Sequence, residues 1–136
     1  MVKGISHIGI AVEDLDKARI FFREHLGLHS SEPEIIASGT LRASFITFND
    51  SDITLEIMES NSPNSSVAKY LKKNGEGIHH LALKVDDIQE GLNKLRANNI
   101  KLINEQAYLN AHGDLVAFLH PKIAHGILVE FIENKK

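Results

Sequence analysis

The 136-residue chain has no cysteine, no tryptophan and only three prolines. Without cysteine there is no disulfide, no thiolate ligand and no thiol nucleophile, which fits a reducing compartment such as the cytoplasm. No apolar run approaches the ~20 residues that a membrane span needs. The chain also opens directly in a strand pattern. Charge of one sign is missing too. Fifteen Lys and Arg are interspersed with eighteen Asp and Glu, and the net charge of −3 comes with no basic stripe for nucleic acid. No segment is of low complexity. What remains is a chain long enough for one domain with a real core.

What is present is a repeat. His7-Ile8-Gly9-Ile10-Ala11-Val12-Glu13-Asp14-Leu15 returns 73 residues later as His80-Leu81-Ala82-Leu83-Lys84-Val85-Asp86-Asp87-Ile88. Ile53-Thr54-Leu55-Glu56-Ile57-Met58-Glu59 returns 74 residues later as Ile127-Leu128-Val129-Glu130-Phe131-Ile132-Glu133. Nearly equal offsets mean two copies in register.

Each copy opens with period-two alternation, hence a strand. Ile8, Ile10 and Val12 share one face, and His7, Gly9 and Ala11 share the other. Asp14 and Asp87 stand where helix caps belong. They predict helices over Leu15 to Leu26, with Ile20, Phe21 and Leu26 inward and Gly27 as the stop, and over Ile88 to Ala97, ended by Asn98-Asn99. Three strands are expected after each helix. They are His29–Ile36, Leu41–Phe48 and Ile53–Glu59 in the first copy. In the second they are Lys101–Glu105, Leu115–His120 and Gly126–Ile132. Ser62-Pro63-Asn64 starts a connecting helix that Asn74-Gly75 ends. The fold class read from this is α+β: two tandem βαβββ modules forming a curved eight-stranded sheet. One domain spans 1–136, with module one at about 4–59, the connecting helix at about 62–74 and module two at about 77–133.

The repeat carries a constellation. Glu56 and Glu130 fall mid-strand among apolar residues, where a carboxylate is costly unless paired or coordinated. His7 and His80 stand beside small residues that leave room for a ligand. A single strand-end His is ordinarily structural, and duplication copies residues whether or not they act together. Four matched candidates, two of them mid-strand carboxylates, favour a shared role. Modules related by a pseudo-two-fold axis passing between them can bring His7, Glu56, His80 and Glu130 to one point. Two imidazoles and two carboxylates suit a divalent metal, and nitrogen and oxygen donors without sulfur admit Co, Ni, Mn, Zn or Fe. His79 should point away from His80 and be structural. His25, His29, Lys72 and Lys73 read as surface residues. His112, His120 and His125 are either pocket lining or turn chemistry.

With these motifs the chain resembles the vicinal oxygen chelate superfamily, which pairs βαβββ modules around a metal. Within it the chain is most similar to the methylmalonyl-CoA epimerase family. The strings that carry the resemblance are His7 to Val12, Ser62-Pro63, Val67 to Leu71, Gly77-Ile78-His79-His80, Ala111-His112-Gly113, Ala117 to Lys122 and Gly126 to Glu130. The resemblance implies His7, Glu56, His80 and Glu130 as ligands of a divalent metal ion. It also implies an acyl-CoA substrate, a homodimer, and epimerisation of methylmalonyl-CoA by α-proton abstraction and return through a metal-stabilised enolate. Glu56 and Glu130 are then the opposed acid and base. One departure stands out. A family member has a Glu base on the strand matching Leu41–Phe48, and this strand has no carboxylate. Either both bases are ligand glutamates or the substrate differs.

Rival readings share the scaffold. A lactoylglutathione lyase of the glyoxalase I type is disfavoured by Ala11, where bacterial members usually carry Arg. An extradiol dioxygenase typically needs a longer chain. A metal-free antibiotic-binding module lacks the His/Glu quartet.

Overall fold

The computed structural model describes residues 1–135. In chain order the elements are β1 (Val2–Ala11), α1 (Leu15–Ile20), β2 (His29–Ser30), β3 (Glu34–Ile36), β4 (Leu41–Thr47), β5 (Thr54–Ser60) and α2 (Ser66–Asn74). There follow β6 (Gly77–Val85), α3 (Ile88–Ala97), β7 (Tyr108–Leu109), β8 (Leu115–Leu119) and β9 (Val129–Glu133). The chain divides into two compact units, one running from His7 to His79 and the other combining Met1–Ser6 with the residues from His80 onward. The boundaries fall inside β1 and β6, so each unit takes part of both strands.

In the unit from His7 to His79, β1 and β5 pair in parallel with Gly9 opposite Glu56, and β5 pairs antiparallel with β4. Both β2 and β3 add to the far edge of β4. The expected strand over His29–Ile36 is therefore two short pieces. Pro33, which has no N–H to give a ladder, stands between them. One face of this sheet packs on α1 through Val12, Leu15, Ile46 and Ile57, with Ala18 and Phe22 closing over them. The other packs on α2 through Ala11, Leu41, Ala43, Met58 and Val67.

The sequence expectation for α1 is corrected here. Ile20, Phe21 and Leu26 are exposed, each close to half of its surface. The apolar contacts come from Leu15, Ala18 and Phe22 instead. Leu15, Ala18 and Phe22 have the i, i+3, i+7 spacing of a regular helix, which leaves Ile20 and Phe21 off the inward stripe, and the π-helical turn over Phe21–His25 then rotates Leu26 away from the core. Leu28 N–H still reaches back to the Phe22 carbonyl at 3.0 Å, and Gly27, at φ +68°, makes the exit that a side chain would strain. The connecting helix also starts later than expected, at Ser66. Its cap is Ser65, whose hydroxyl accepts from Ala68 N–H at 3.0 Å.

The second unit repeats the plan: β6 and β9 are parallel with Ala82 opposite Glu130, β9 is antiparallel to β8, and β8 to β7. Asp87 accepts from Glu90 N–H at 3.0 Å and α3 runs over the expected residues. Ile88, Leu92, Ala117, Val129 and Phe131 form its core. The expected strand at Lys101–Glu105 is reduced to a single bridge between Leu102 and Leu119, and the strand lies further on, at Tyr108–Leu109. Among the described residues no helix is long and apolar enough to cross a membrane.

Candidate metal centre

The same construction recurs in each unit. A His on the first strand of the module faces a Glu on its last strand, and parallel pairing brings the two side chains onto one side of the sheet. In the unit from His7 to His79, His7 Nε2 stands 3.8 Å from Glu56 Oε1. In the other, His80 Nε2 stands 3.3 Å from Glu130 Oε1. Both pairs are largely out of water, the second more so: the side chains are 4% and 8% exposed, against 11% and 12% for the first.

A phenylalanine is the third repeated member. Phe45 lies opposite Glu56 in the β4–β5 ladder, and Phe118 lies opposite Glu130 in the β8–β9 ladder. The Phe118 ring meets the His80 imidazole edge-on, with centroids 5.9 Å apart. Such packing restricts imidazole rotation and keeps water from the pair.

The donor sets fit a divalent cation. Two ligands each about 2.1 Å from one ion stand about 3.0–3.4 Å apart in octahedral or tetrahedral geometry. The His80–Glu130 separation lies in that range, and the His7–Glu56 separation is a few tenths of an ångström wider. Imidazole nitrogen and carboxylate oxygen suit the first-row metals expected from the sequence.

Other predicted residues fall out as follows. His79 is buried and packs its ring edge-on to Tyr70, with centroids 5.4 Å apart, which is the structural role expected. His25, His29, Lys72 and Lys73 are exposed. His120 is turn chemistry, because its Nδ1 accepts from Lys122 N–H at 3.1 Å. No carboxylate occurs on β4. Its Glu56-side face is Leu41, Ala43 and Phe45, and Glu34 on β3 lies opposite Ala43.

One residue on the Glu130 face of the sheet has no signal in the sequence. Tyr108 pairs with Val116, and Val116 pairs with Ile132, two residues from Glu130. Burial, and then the nearby Glu130 charge, hold its phenol above the usual tyrosine range. A two-residue strand has no period to read, so neither β7 nor this tyrosine could be placed from alternation.

Known proteins agree with this architecture. The sequence profile of the Glyoxalase/Bleomycin resistance protein/Dioxygenase superfamily matches residues 6–118. The mitochondrial methylmalonyl-CoA epimerase of Bos taurus is 34% identical over 127 residues, which cover 93% of this chain and 71% of that protein. The crystal structure of methylmalonyl-CoA epimerase from Mycobacterium tuberculosis superposes with a TM-score of 0.91 at 33% identity, over 99% of this chain and 90% of that one. A variant of the Streptomyces coelicolor methylmalonyl-CoA epimerase, in complex with 2-nitronate-propionyl-CoA, superposes with a TM-score of 0.90 at 30% identity over the whole of both chains. The α+β fold is that of the vicinal oxygen chelate proteins, and the chain belongs to the methylmalonyl-CoA epimerase family of the glyoxalase/bleomycin resistance protein/dioxygenase superfamily.

Proposed function

We propose that this protein interconverts the two epimers of methylmalonyl-CoA, with a divalent metal held by His7, Glu56, His80 and Glu130. The observation that carries the reading is the duplicated, largely buried His–Glu pair in a chain of this family. Each pair supplies two donors, and an ion of four to six ligands takes both pairs and leaves room for substrate oxygens.

The α-carbon of a malonyl thioester carries an acidified C–H, because the carbanion delocalises into the thioester carbonyl as an enolate. Epimerisation removes that proton from one face and returns one to the other. Glu56 and Glu130 are the acid and base in this reading, one serving each face. Their environments support it, since both are carboxylates shielded from bulk water beside an imidazole. The metal, when bound, supplies positive charge that stabilises the enolate as a Lewis acid does. The Phe45 and Phe118 rings beside the two glutamates limit water, which strengthens each charge interaction. The Streptomyces relative bound to a nitronate of propionyl-CoA lends support, because a nitronate is planar and anionic like an enolate.

The exposed apolar side chains of Ile20, Phe21 and Leu26 support a homodimer in this reading. Light scattering of the purified protein checks that assignment.

The test of the activity is proton exchange. Metal-loaded protein is mixed with one epimer of methylmalonyl-CoA in deuterated buffer. Deuterium should enter the α-position as optical activity is lost. The doubly substituted Glu56→Gln, Glu130→Gln protein should lose turnover. Metal-loaded wild-type protein that exchanges nothing would sink the reading.

A further inference from the structure

Tyr108 is set on the face of the His80–Glu130 pair by strand register alone. Residues directly opposite in a ladder project to the same side. Tyr108 lies opposite Val116, and Val116 opposite Ile132. Glu130 shares the Ile132 side of β9, and Phe118 shares the Val116 side of β8. The neighbouring Leu109 projects the other way and is 66% exposed. Val116 and Ile132 form a buried apolar floor beside this face, while Tyr108 keeps 45% of its surface in solvent. This is the disposition of a side chain with an apolar body and a polar tip at the edge of a site.

The chemistry of the tip is that of a donor. A phenol keeps its proton at neutral pH, since tyrosine ionises only near pH ~10. The matching place in the other unit is Glu34, which lies opposite Ala43 as Tyr108 lies opposite Val116. An ionised carboxylate only accepts hydrogen bonds, so of these two duplicated positions only one can donate.

We propose that Tyr108 is a catalytic residue of the epimerase reaction, donating its O–H to the thioester oxygen of the substrate as that oxygen gains charge in the enolate. This rests on the epimerase reading given above. A donor aimed at a developing oxyanion acts mainly in the transition state, so it raises kcat with little effect on KM.

The experiment is Tyr108→Phe, which keeps the ring and removes only the hydroxyl. With methylmalonyl-CoA, kcat should fall roughly 10- to 100-fold with KM unchanged. Metal content and melting temperature should match wild type. Binding of 2-nitronate-propionyl-CoA, measured by calorimetry, should weaken by a similar factor, and binding of propionyl-CoA should not. An active wild type whose Tyr108→Phe variant keeps its kcat overturns the assignment. So does a variant that loses affinity for both CoA ligands equally, which marks a packing role. A wild type that never exchanges protons refutes the epimerase reading instead. The calorimetry still judges Tyr108 in that case, since equal nitronate affinity in the two proteins removes it from the site.

Discussion

The two units are copies that solved the same problem with different side chains. Each holds a His on its first strand, a Glu on its last and a Phe opposite the Glu. On the reverse face of the sheet, which is apolar in both, one position differs: it is a hydrogen-bonded serine in one unit and an alanine in the other. In the unit from His7 to His79, Ser44 is fully buried and donates to the Ser31 carbonyl at 2.7 Å, and Ser31 Oγ accepts from Phe45 N–H at 2.8 Å. These bonds fasten the short β2 segment to the strand that carries Phe45. The matching position in the other unit is Ala117, buried in the α3 core. Helix capping differs too. Asp87 caps α3 by its own side chain, whereas α1 has Asp14 and a second acceptor, Glu59 Oε1, 3.1 Å from Leu15 N–H. Arg42 then bridges Glu59 and Asp16, at 3.3 and 2.9 Å. Its guanidinium pKa is raised, chiefly by the hydrogen bond to Asp16 and against the opposing cost of burial. The lesson is that the His- and Glu-bearing side of a duplicated sheet can keep its side chains while single positions on the reverse side and the helix caps diverge.

The largest effect that separates the units should appear in metal binding. His80 belongs to the tighter and more buried pair, so His80→Ala should lower metal affinity by at least about 100-fold, the upper end of what even ligand-orienting groups contribute. His7→Ala should cost less. Titration with a competing chelator measures both, and equal losses would erase the distinction drawn from burial and distance.

Exchanging the reverse-face residues sharpens the contrast. Ala117→Ser places a hydroxyl in an apolar core and should destabilise by about 2 kcal/mol. Ser44→Ala removes a bond to a backbone carbonyl and should cost about 1 kcal/mol. Urea denaturation reads each, and the order of the two values is the point at issue.

The caps give the next smaller test. Asp87→Ala should cost about 1 kcal/mol, as is usual for an N-cap. Asp14→Ala should cost less, because Glu59 still serves the first turn of α1. If the two losses are equal, Glu59 does not act as a second cap.

Smallest is Arg42→Met. The guanidinium bridges partly exposed carboxylates, and such pairs contribute below about 1 kcal/mol. The loss should shrink further as salt rises, which melting curves at low and high ionic strength will reveal.

Much of this was legible in the sequence where the physics is local. Asp14 and Asp87 could be read as caps because a short carboxylate before a helical stretch satisfies N–H groups within its own turn. The α3 bounds, the β1 and β9 faces and the four His/Glu positions follow from alternation and from the repeat. The inward stripe of α1, Leu15, Ala18 and Phe22, has ordinary helical spacing, whereas the outward position of Leu26 could not be read, because the π-helical turn at Phe21–His25 changes the pitch without changing the composition. The strand expected at Lys101–Glu105 carries suitable residues, yet it keeps one bridge only and pairing moves to Tyr108–Leu109. Two-residue and three-residue strands such as β7 and β3 exist because a longer neighbour offers an edge, not because of their own pattern.

By itself, then, the sequence determined that there are two βαβββ copies, where their helices begin, and that each copy brings one His and one Glu to the same side of a sheet. All of that is periodicity and spacing, which the backbone imposes on any chain. Only the tertiary structure decided that His80 and Glu130 are the closer and drier pair, that Glu59 reaches α1 from another strand, and that Tyr108 joins the Glu130 face. Those outcomes depend on which strands become neighbours and how deeply each side chain is covered. They are set by contacts between residues far apart in the chain, to which local pattern is blind.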